Sequence, residues 1–313
     1  MQAQPHRPRW LTLLAFGIIY FVWGSTFLAI RVGVHEVPPL LFAAMRFLTA
    51  GLILCGWMFA RGERSPTLRQ WLSASLLGLI IFVFDYGLLF WAEQRVPSGL
   101  AAVMLATIPA FTAFAEILLL RTQKLTIRLA IALLIGIGGV VVLTSRSLGL
   151  GGAPISTLGA TALIFASLSW SIATVLSRKL DLPSAKVMSS GAQMLSGGIM
   201  LTLAAAATGE MRGFHPSAIS GPAWFSLVYL IVAGSIIGFT AYVWLIHHES
   251  PTRVGTYAYV NPVVAVILGY FLGGEAIGQR TVLGTVFVLI SVIVITTTPA
   301  KRPELVLAAS DTA

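Results

Sequence analysis

The chain has 313 residues, of which 57% are hydrophobic and only 10% are charged, and its formal net charge is +9. Because soluble proteins carry about 25% charged residues, this composition excludes an ordinary soluble domain and is typical of an all-α membrane protein. The positive charge is spread over short loops between apolar stretches and forms no basic face. We therefore expect no nucleic-acid partner.

Apolar stretches long enough to cross the hydrocarbon core of a bilayer as helices, which takes about 20 residues, recur along the whole chain. We predict ten membrane-spanning helices, at 10–32, 39–60, 70–92, 97–120, 127–145, 157–177, 186–208, 223–246, 252–273 and 279–298. The first stretch is longer than the apolar core of a signal peptide and lacks a clear small-residue cleavage site, so we expect it to be retained.

Residues of the same type recur at a nearly fixed spacing, which indicates an internal duplication. The pairs separated by 147 positions include Trp23 and Trp170, Leu48 and Leu195, and Gly51 and Gly198, and the pairs separated by 153 positions include Trp91 and Trp244, and Pro109 and Pro262. A duplicated and strongly apolar chain is typical of a transporter built from two halves around a central path.

The duplication divides the chain into a first repeat at 1–150, a second repeat at 151–300 and a tail at 301–313 that we expect to be disordered. Each repeat has five helices, an odd number, so we predict inverted repeats related by a pseudo-two-fold axis in the membrane plane. With the amino terminus inside, cytoplasmic segments hold 14 basic residues and outer segments hold five, with Arg46 set aside inside a span. This positive-inside bias predicts that both termini are cytoplasmic.

Several motifs occur in order along the chain: WGSTF at 23–27, WAEQ at 91–94, VPSGLAA at 96–102, YAYVNPVVA at 257–265 and LGGE at 272–275. Together they resemble the EamA-type transporters of the drug/metabolite transporter superfamily, in particular bacterial inner-membrane exporters of amino acids and other metabolites. The resemblance implies a multi-pass inner-membrane protein whose ten helices form two inverted repeats around a central substrate cavity. One departure is the first-repeat equivalent of Gly274-Glu275, which is Arg121-Thr122 and lacks the acidic residue.

Two repeat-related prolines, Pro109 and Pro262, fall near the middle of their helices. A proline there cannot donate to the carbonyl four residues earlier and clashes with it, and a freed carbonyl in lipid needs a protein or water partner. We predict kinked, cavity-facing helices, although a kink that only serves packing remains the alternative. Near Pro262, Tyr257 and Asn261 are four residues apart and share a helix face, so we expect both in the cavity.

Ionisable residues inside a membrane are rare and often functional. Arg46 and Asp85 each lie seven residues from the outer ends of their predicted helices, or about 10 Å deep. Our hypothesis is an ion pair, which would lower the cost of burying either charge and for which substrate or a proton would compete. The alternative is an Arg46 side chain that extends to the outer surface on its own. The duplication places Gln193 at the position equivalent to Arg46.

The predicted substrate cavity comprises Trp23, Thr26, Arg46, Asp85, Tyr86, Trp91, Met104, Pro109, Trp170, Gln193, Tyr242, Tyr257, Asn261 and Pro262. Its aromatic rings would favour apolar or aromatic substrate groups and could hold an ammonium, unless they serve helix packing alone. Candidates for coupling to a proton are Asp85, Glu93 and His247.

The sequence has no GxxxxGK[ST], HExxH or CxxC motif, and Cys55 is its one cysteine, so we expect no ATPase module, no metal site and no cofactor. We predict a secondary transporter that exports small metabolites by alternating access, with amino acids as the leading substrate class. We expect it to be a monomer or a homodimer in the bilayer. A drug or nucleotide-sugar carrier is the alternative within transport. A membrane-embedded enzyme or a lipid scramblase is the alternative outside it, but the chain offers no nucleophile beside Arg46 and Asp85.

Overall fold

The computed structural model describes residues 9–120, 126–144, 156–248 and 257–296, and these ranges are helical with short connections and no β-strand. Seven of the helices described are long and apolar enough to cross a membrane, and three shorter apolar helices accompany them. The all-helical membrane class is therefore confirmed, whereas the arrangement of ten spans in inverted repeats stays a prediction. The predicted tail at 301–313 lies outside the described residues.

The helices of the predicted first repeat are α1 (Arg9–Val34), α2 (Pro39–Ala60), α3 (Leu68–Glu93), α4 (Ser98–Leu119) and α5 (Ile127–Thr144). Those of the second repeat are α6 (Thr157–Leu176), α7 (Lys186–Ala207), α8 (221–248), α9 (Tyr257–Phe271) and α10 (Gln279–Thr296). A short 3₁₀ turn at Pro216–Ala218 precedes α8.

Local sequence explains where several helices begin. Pro38 and Pro97 immediately precede α2 and α4, and a proline favours the extended backbone that leads into a helix. The Thr67 hydroxyl and the Gln70 side chain form a reciprocal capping box at the start of α3. The Ser156 and Ser220 hydroxyls accept from backbone N–H groups three residues later, which satisfies otherwise unpaired donors of α6 and α8.

Three helices depart from regular α-geometry. α3 contains an eight-residue π-helical segment at Leu79–Tyr86, and α8 contains one of the same length at Leu230–Ile237. α4 ends its first helical segment at Leu105 and begins its second at Ile108, because Pro109 cannot donate to the Leu105 carbonyl. Of the two helices predicted to be kinked, α4 is interrupted before Pro109, whereas α9 continues as a helix through Pro262.

Helix packing follows a regular pairing. α2 packs along α7, α5 packs along α10, α1 packs against α8 and α9, and α6 packs against α3 and α4. At the crossing of α2 and α7, a Cβ atom on Gly51 would lie 2.7 Å from Leu195 Cα, and one on Gly198 would lie 2.6 Å from Leu48 Cα. Only glycine permits backbones to approach this closely. Leu48 and Leu195 correspond to each other in the duplication, as Gly51 and Gly198 do. The two glycine–leucine contacts are therefore equivalent, and each joins one half of the chain to the other.

Candidate functional site

A cavity with a volume of about 100 Å³ lies between α1, α2, α3, α4, α6 and α9. The predicted residues that line it are Trp23, Thr26, Arg46, Asp85, Tyr86, Trp170, Tyr257, Asn261 and Pro262. The lining also includes Phe27, Ile30, Leu89, Ala102, Leu105, Ala106, Ile108 and Ala258, which sequence reasoning missed. Trp23, Phe27 and Ile30 follow helical spacing along one face of α1. This spacing could have identified Phe27 and Ile30 as cavity residues from the sequence.

A second cavity of about 50 Å³ adjoins the first. Its polar lining residues include Gln193, Ser190 and Ser235. Four residues line both cavities, and they are Trp23, Arg46, Tyr86 and Trp170. The repeat-related tryptophans Trp23 and Trp170 therefore lie at the boundary between the two spaces.

Several predicted cavity residues lie elsewhere. Met104 is fully buried in the helix core, and Pro109 lies beside the break in α4 while its neighbour Ile108 lines the cavity. The Trp91 ring is covered by the Arg95 guanidinium, 3.7 Å from the ring centroid. Tyr242 contacts Trp23 without being among the lining residues. The side chain of His247 lies outside the described part of the chain.

Arg46 and Asp85 share the cavity but do not form the predicted ion pair. The Arg46 Nε donates to Ser235 Oγ at 3.0 Å, and its guanidinium lies 4.6 Å and 5.2 Å from the ring centroids of Phe47 and Tyr86. Ser235 comes from the π-helical segment of α8, so this segment determines the direction of the guanidinium. With only 3% of Arg46 exposed, the alternative of an Arg46 that reaches the outer surface is also wrong.

Both groups keep unused hydrogen-bonding capacity. Arg46 Nη1 and Asp85 Oδ1 are buried and have no hydrogen-bond partner among the described residues. A buried polar atom without a partner costs about 1–3 kcal/mol, and more when it is charged. Two residues that line the cavity therefore hold one donor and one acceptor without a partner in the described part of the chain.

Aromatic rings and one amide form the wall between α1, α8 and α9. The centroid of the Trp23 ring lies 5.2 Å from that of Tyr242 and 5.4 Å from that of Tyr257, the latter edge to face. Trp23 Nε1 donates to the Gly234 carbonyl at 3.1 Å. Asn261, in the amide orientation that its surroundings satisfy, donates to the carbonyls of Ile19, Tyr20 and Tyr257. These contacts fix the side chains that face the cavity.

At one end of the molecule, three carboxylates join the two halves of the sequence, and we call these contacts the carboxylate ties. Glu36 accepts from the N–H and hydroxyl of Ser220 at 2.7 and 2.6 Å, and Glu210 accepts from the N–H of Leu41 at 2.9 Å. The third carboxylate, Glu275, accepts from the N–H and hydroxyl of Ser98, both at 2.7 Å, and from the N–H of Gly99 at 3.0 Å. Each acceptor lies at a helix N-terminus, where the helix dipole favours negative charge.

The environments of these carboxylates differ. The Ser220 hydroxyl, followed by the Ser220 N–H, lowers the pKa of Glu36. Burial raises the pKa of Glu210, although the N–H groups of Leu41 and Leu40 act in the opposite direction. The pKa values of these two carboxyl groups are therefore displaced in opposite directions.

Arg31 connects the third tie to the end of α3. Its Nε lies 3.4 Å from Glu275 Oε1, and its Nη1 donates to the carbonyls of Val96 at 2.6 Å and Glu93 at 3.2 Å. The Glu93 side chain is 0% exposed, and neither carboxyl oxygen has a hydrogen-bond partner among the described residues. Away from these contacts, Glu116 pairs with Arg178 at 2.6 Å.

Comparison with known proteins places this fold and cavity in context. The chain matches the EamA-like transporter family twice, over residues 8–145 and 157–297. It is 39% identical to the inner membrane transporter YedA of Escherichia coli (strain K12) over 89% of this chain and 88% of that protein. It is 25% identical to Protein PecM of Dickeya dadantii (strain 3937), over 88% of each chain.

A solved crystal structure has a similar fold, with a TM-score of 0.59 and 21% identity, over 92% of this chain and 96% of that chain. Two family matches that together cover most of the sequence, and a relative that is 39% identical along nearly the whole chain, agree with the motifs at 23–27 and 257–265. The chain therefore belongs to the EamA-like transporter family of the drug/metabolite transporter superfamily, and it is a membrane transporter and not an enzyme.

Proposed function

We propose that this protein is a secondary transporter that exports small zwitterionic metabolites, with amino acids as the main class, across the bacterial inner membrane. The observation that carries the proposal is the presence of Arg46 and Asp85 in one cavity without an ion pair between them. A cation and an acid that are both buried and only partly satisfied favour a ligand that carries the two complementary groups.

An amino acid has these two groups close together. Its carboxylate would accept a hydrogen bond from Arg46 Nη1, and its ammonium would donate to Asp85 Oδ1, the two atoms without partners among the described residues. Charge-assisted hydrogen bonds of this kind are roughly twice as strong as neutral ones. The rings of Trp23 and Tyr86 beside these groups add an apolar surface and an attraction for the ammonium.

The size of the cavity supports a small substrate. A volume of about 100 Å³ accommodates several water molecules or a small solute. A nucleotide sugar would require the surrounding helices to move apart. The aromatic lining would also suit a compact apolar drug, so a hydrophobic cation is the competitor that the experiment must include.

Several features support transport by two inverted five-helix repeats. The two family matches, the equal π-helical segments of α3 and α8, and the reciprocal contacts of Gly51 and Gly198 all relate the first half to the second. With the amino terminus in the cytoplasm, as the positive-inside bias predicts, the carboxylate ties lie at the outer end. Their hydrogen bonds then hold the outer end closed, and alternating access requires them to break.

The test is efflux from proteoliposomes loaded with a labelled amino-acid panel, with protein-free vesicles as the control. Each amino acid is paired with its decarboxylated amine and its N-acetylated acid, so that each charge is removed in turn. We expect selective efflux of an amino acid and much slower efflux of both analogues. Efflux of a hydrophobic cation with no movement of any amino acid would replace the amino-acid proposal with a drug carrier.

A further inference from the structure

Glu93 is a buried acid that the proposed substrate site does not use. Its side chain is 0% exposed, and it is absent from the residues that line either cavity. Neither carboxyl oxygen meets a hydrogen-bond donor from the described residues. An ionised carboxylate in this position would be costly, so the structure fits the neutral acid better. A structural carboxylate would be expected to accept hydrogen bonds, as Glu275 does.

Charged groups surround Glu93 on several elements. Arg31 of α1, Glu275 after α9 and Arg46 of α2 all lie near enough for their charges to act on its carboxyl group. Arg31 Nη1 already donates to the backbone carbonyl of Glu93 at 3.2 Å while its Nε faces Glu275. The Glu93 carboxyl is therefore within electrostatic reach of both the third carboxylate tie and the Arg46 guanidinium.

We propose that Glu93 is the proton-binding site that couples transport to the proton gradient, and that its charge determines whether Arg31 stays with Glu275. The proposal rests on the proposed transport function and adds the coupling ion and its site. Asp85 is the less suitable proton carrier because it lines the cavity and is available to a substrate ammonium. Glu93 is shielded from the substrate and can respond to a proton alone.

The proton step is simple. Binding forms one O–H bond on a Glu93 carboxyl oxygen and breaks no other bond in the protein. When Glu93 is neutral, Arg31 remains beside Glu275, which is the contact seen in the structure, and the tied end is closed. When Glu93 loses its proton, the new negative charge attracts Arg31, whose guanidinium already touches the same residue. Glu275 then loses its cation, so its negative charge is uncompensated in the closed arrangement, and this cost favours opening at that end.

This order of events exchanges one proton for substrate. The open outer end releases substrate and exposes Glu93 to the outer solution, and proton binding closes that end again. Release of the proton after the opposite end has opened returns Glu93 to the charged form. Substrate would therefore leave as a proton enters, and an inward proton gradient would drive export.

The decisive experiment uses the full chain in proteoliposomes with Glu93→Gln, which resembles the neutral acid. Two rates are compared: exchange of labelled for unlabelled amino acid without a gradient, and net efflux driven by an imposed pH gradient with proton uptake reported by a trapped pH-sensitive dye. We expect Glu93→Gln to lose both the stimulation by the gradient and the proton uptake, and to slow exchange, because a permanently neutral side chain keeps Arg31 beside Glu275 and the tied end closed. Retained proton uptake in this variant, or net efflux by the wild type without any proton movement, would overturn the proposal.

Further variants keep the result interpretable. Glu63→Gln removes a carboxylate from the loop between α2 and α3 and should leave both rates unchanged. Glu93→Asp keeps a titratable carboxyl group and is an independent test: a pH profile of exchange displaced from that of the wild type supports the proposal, and an unchanged profile contradicts it.

A measurement without substrate separates this proposal from the amino-acid one. In infrared difference spectra over a pH series that extends from acid into alkali, the wild-type protein should show a carboxylic-acid band that Glu93→Gln lacks. If that band is present while no amino acid is transported, the substrate proposal fails and the proton site stands. If amino acids are transported but the two spectra are identical, the proton site fails alone.

Discussion

Glu36 accepts two hydrogen bonds from Ser220, from the N–H at 2.7 Å and from the hydroxyl at 2.6 Å, across 184 positions of sequence. Ser220 is also the N-cap of α8, where its hydroxyl accepts from the Ala223 N–H at 3.4 Å. A single serine thus begins one helix and holds the loop that follows α1.

The first prediction concerns the pH dependence of this contact. Hydrogen bonds from Ser220 lower the pKa of Glu36 in the folded protein. A lowered acid pKa stabilises the fold above the unfolded-state value, and this stabilisation is lost as the pH falls through the folded-state value. Glu36→Gln should therefore lower the thermal midpoint in detergent at neutral pH and have no effect in acid below that lowered pKa. A difference that persists unchanged in acid would contradict this explanation, and Glu63→Gln serves as the control.

The second prediction concerns Glu275, which accepts three hydrogen bonds at the start of α4 and lies beside Arg31. Hydrogen bonds to charged groups contribute about 1.5–3 kcal/mol. Glu275→Gln removes the charge from all of these contacts, whereas Ser98→Ala removes one donor. We expect the loss of unfolding free energy to be clearly larger for Glu275→Gln than for Ser98→Ala. Equal losses would show that the charge contributes little.

The third prediction compares two glycines of α2. A Cβ on Gly51 would meet the backbone of Leu195, while one on Gly56 would meet nothing within 4 Å. Overpacking of this kind costs about 1–3 kcal/mol, whereas glycine within a helix is about 0.5–1 kcal/mol less favourable than alanine. Gly51→Ala should therefore destabilise the protein and Gly56→Ala should stabilise it, as measured by thermal unfolding. Gly198→Ala should behave as Gly51→Ala does.

The fourth prediction separates the roles of Arg46 and Asp85. Arg46→Lys keeps the charge but loses the planar guanidinium that donates to Ser235, so amino-acid transport should show a rise in KM of about tenfold or more. Efflux of the decarboxylated amine, slow in the wild type, should change little. Asp85→Asn should instead impair amino acids while leaving the N-acetylated acid unaffected. The same response to both analogues in both variants would rule out separate recognition of the two charges.

Much of the helical framework was accessible from the sequence because length and hydropathy govern what can cross a bilayer. The matching pairs that indicate the duplication include Gly51 and Gly198, and the structure shows that these two make equivalent contacts in the two halves. Arg46, Asp85 and Asn261 were identified as cavity residues because polar groups are rare inside apolar helices. Each of these inferences depends on a local pattern or on a comparison of the chain with itself.

The partner of Arg46 could not be predicted in this way. Ser235 has no distinguishing sequence signal, and it reaches the guanidinium from a π-helical segment that apolar composition does not reveal. The carboxylate ties join residues more than 160 positions apart. The apolar lining at Leu105 and Ile108 depends on how α4 resumes after its interruption. Three-dimensional proximity decides all of these features.

The glycine crossing of α2 and α7 has a mechanical consequence for any rotation of one half against the other. If the rotation axis passes through the backbone contact at Gly51 and Gly198, this contact moves least, because points near a rotation axis are displaced least. Pro39 and Glu210 each lie twelve residues from those glycines, about 18 Å along a helix, so that a turn of about 10° displaces them by about 3 Å. Hydrogen bonds do not survive such a displacement. A rotation through a small angle about the glycine crossing would thus break the hydrogen bonds at the outer ends of α2 and α7 while the crossing itself stays packed.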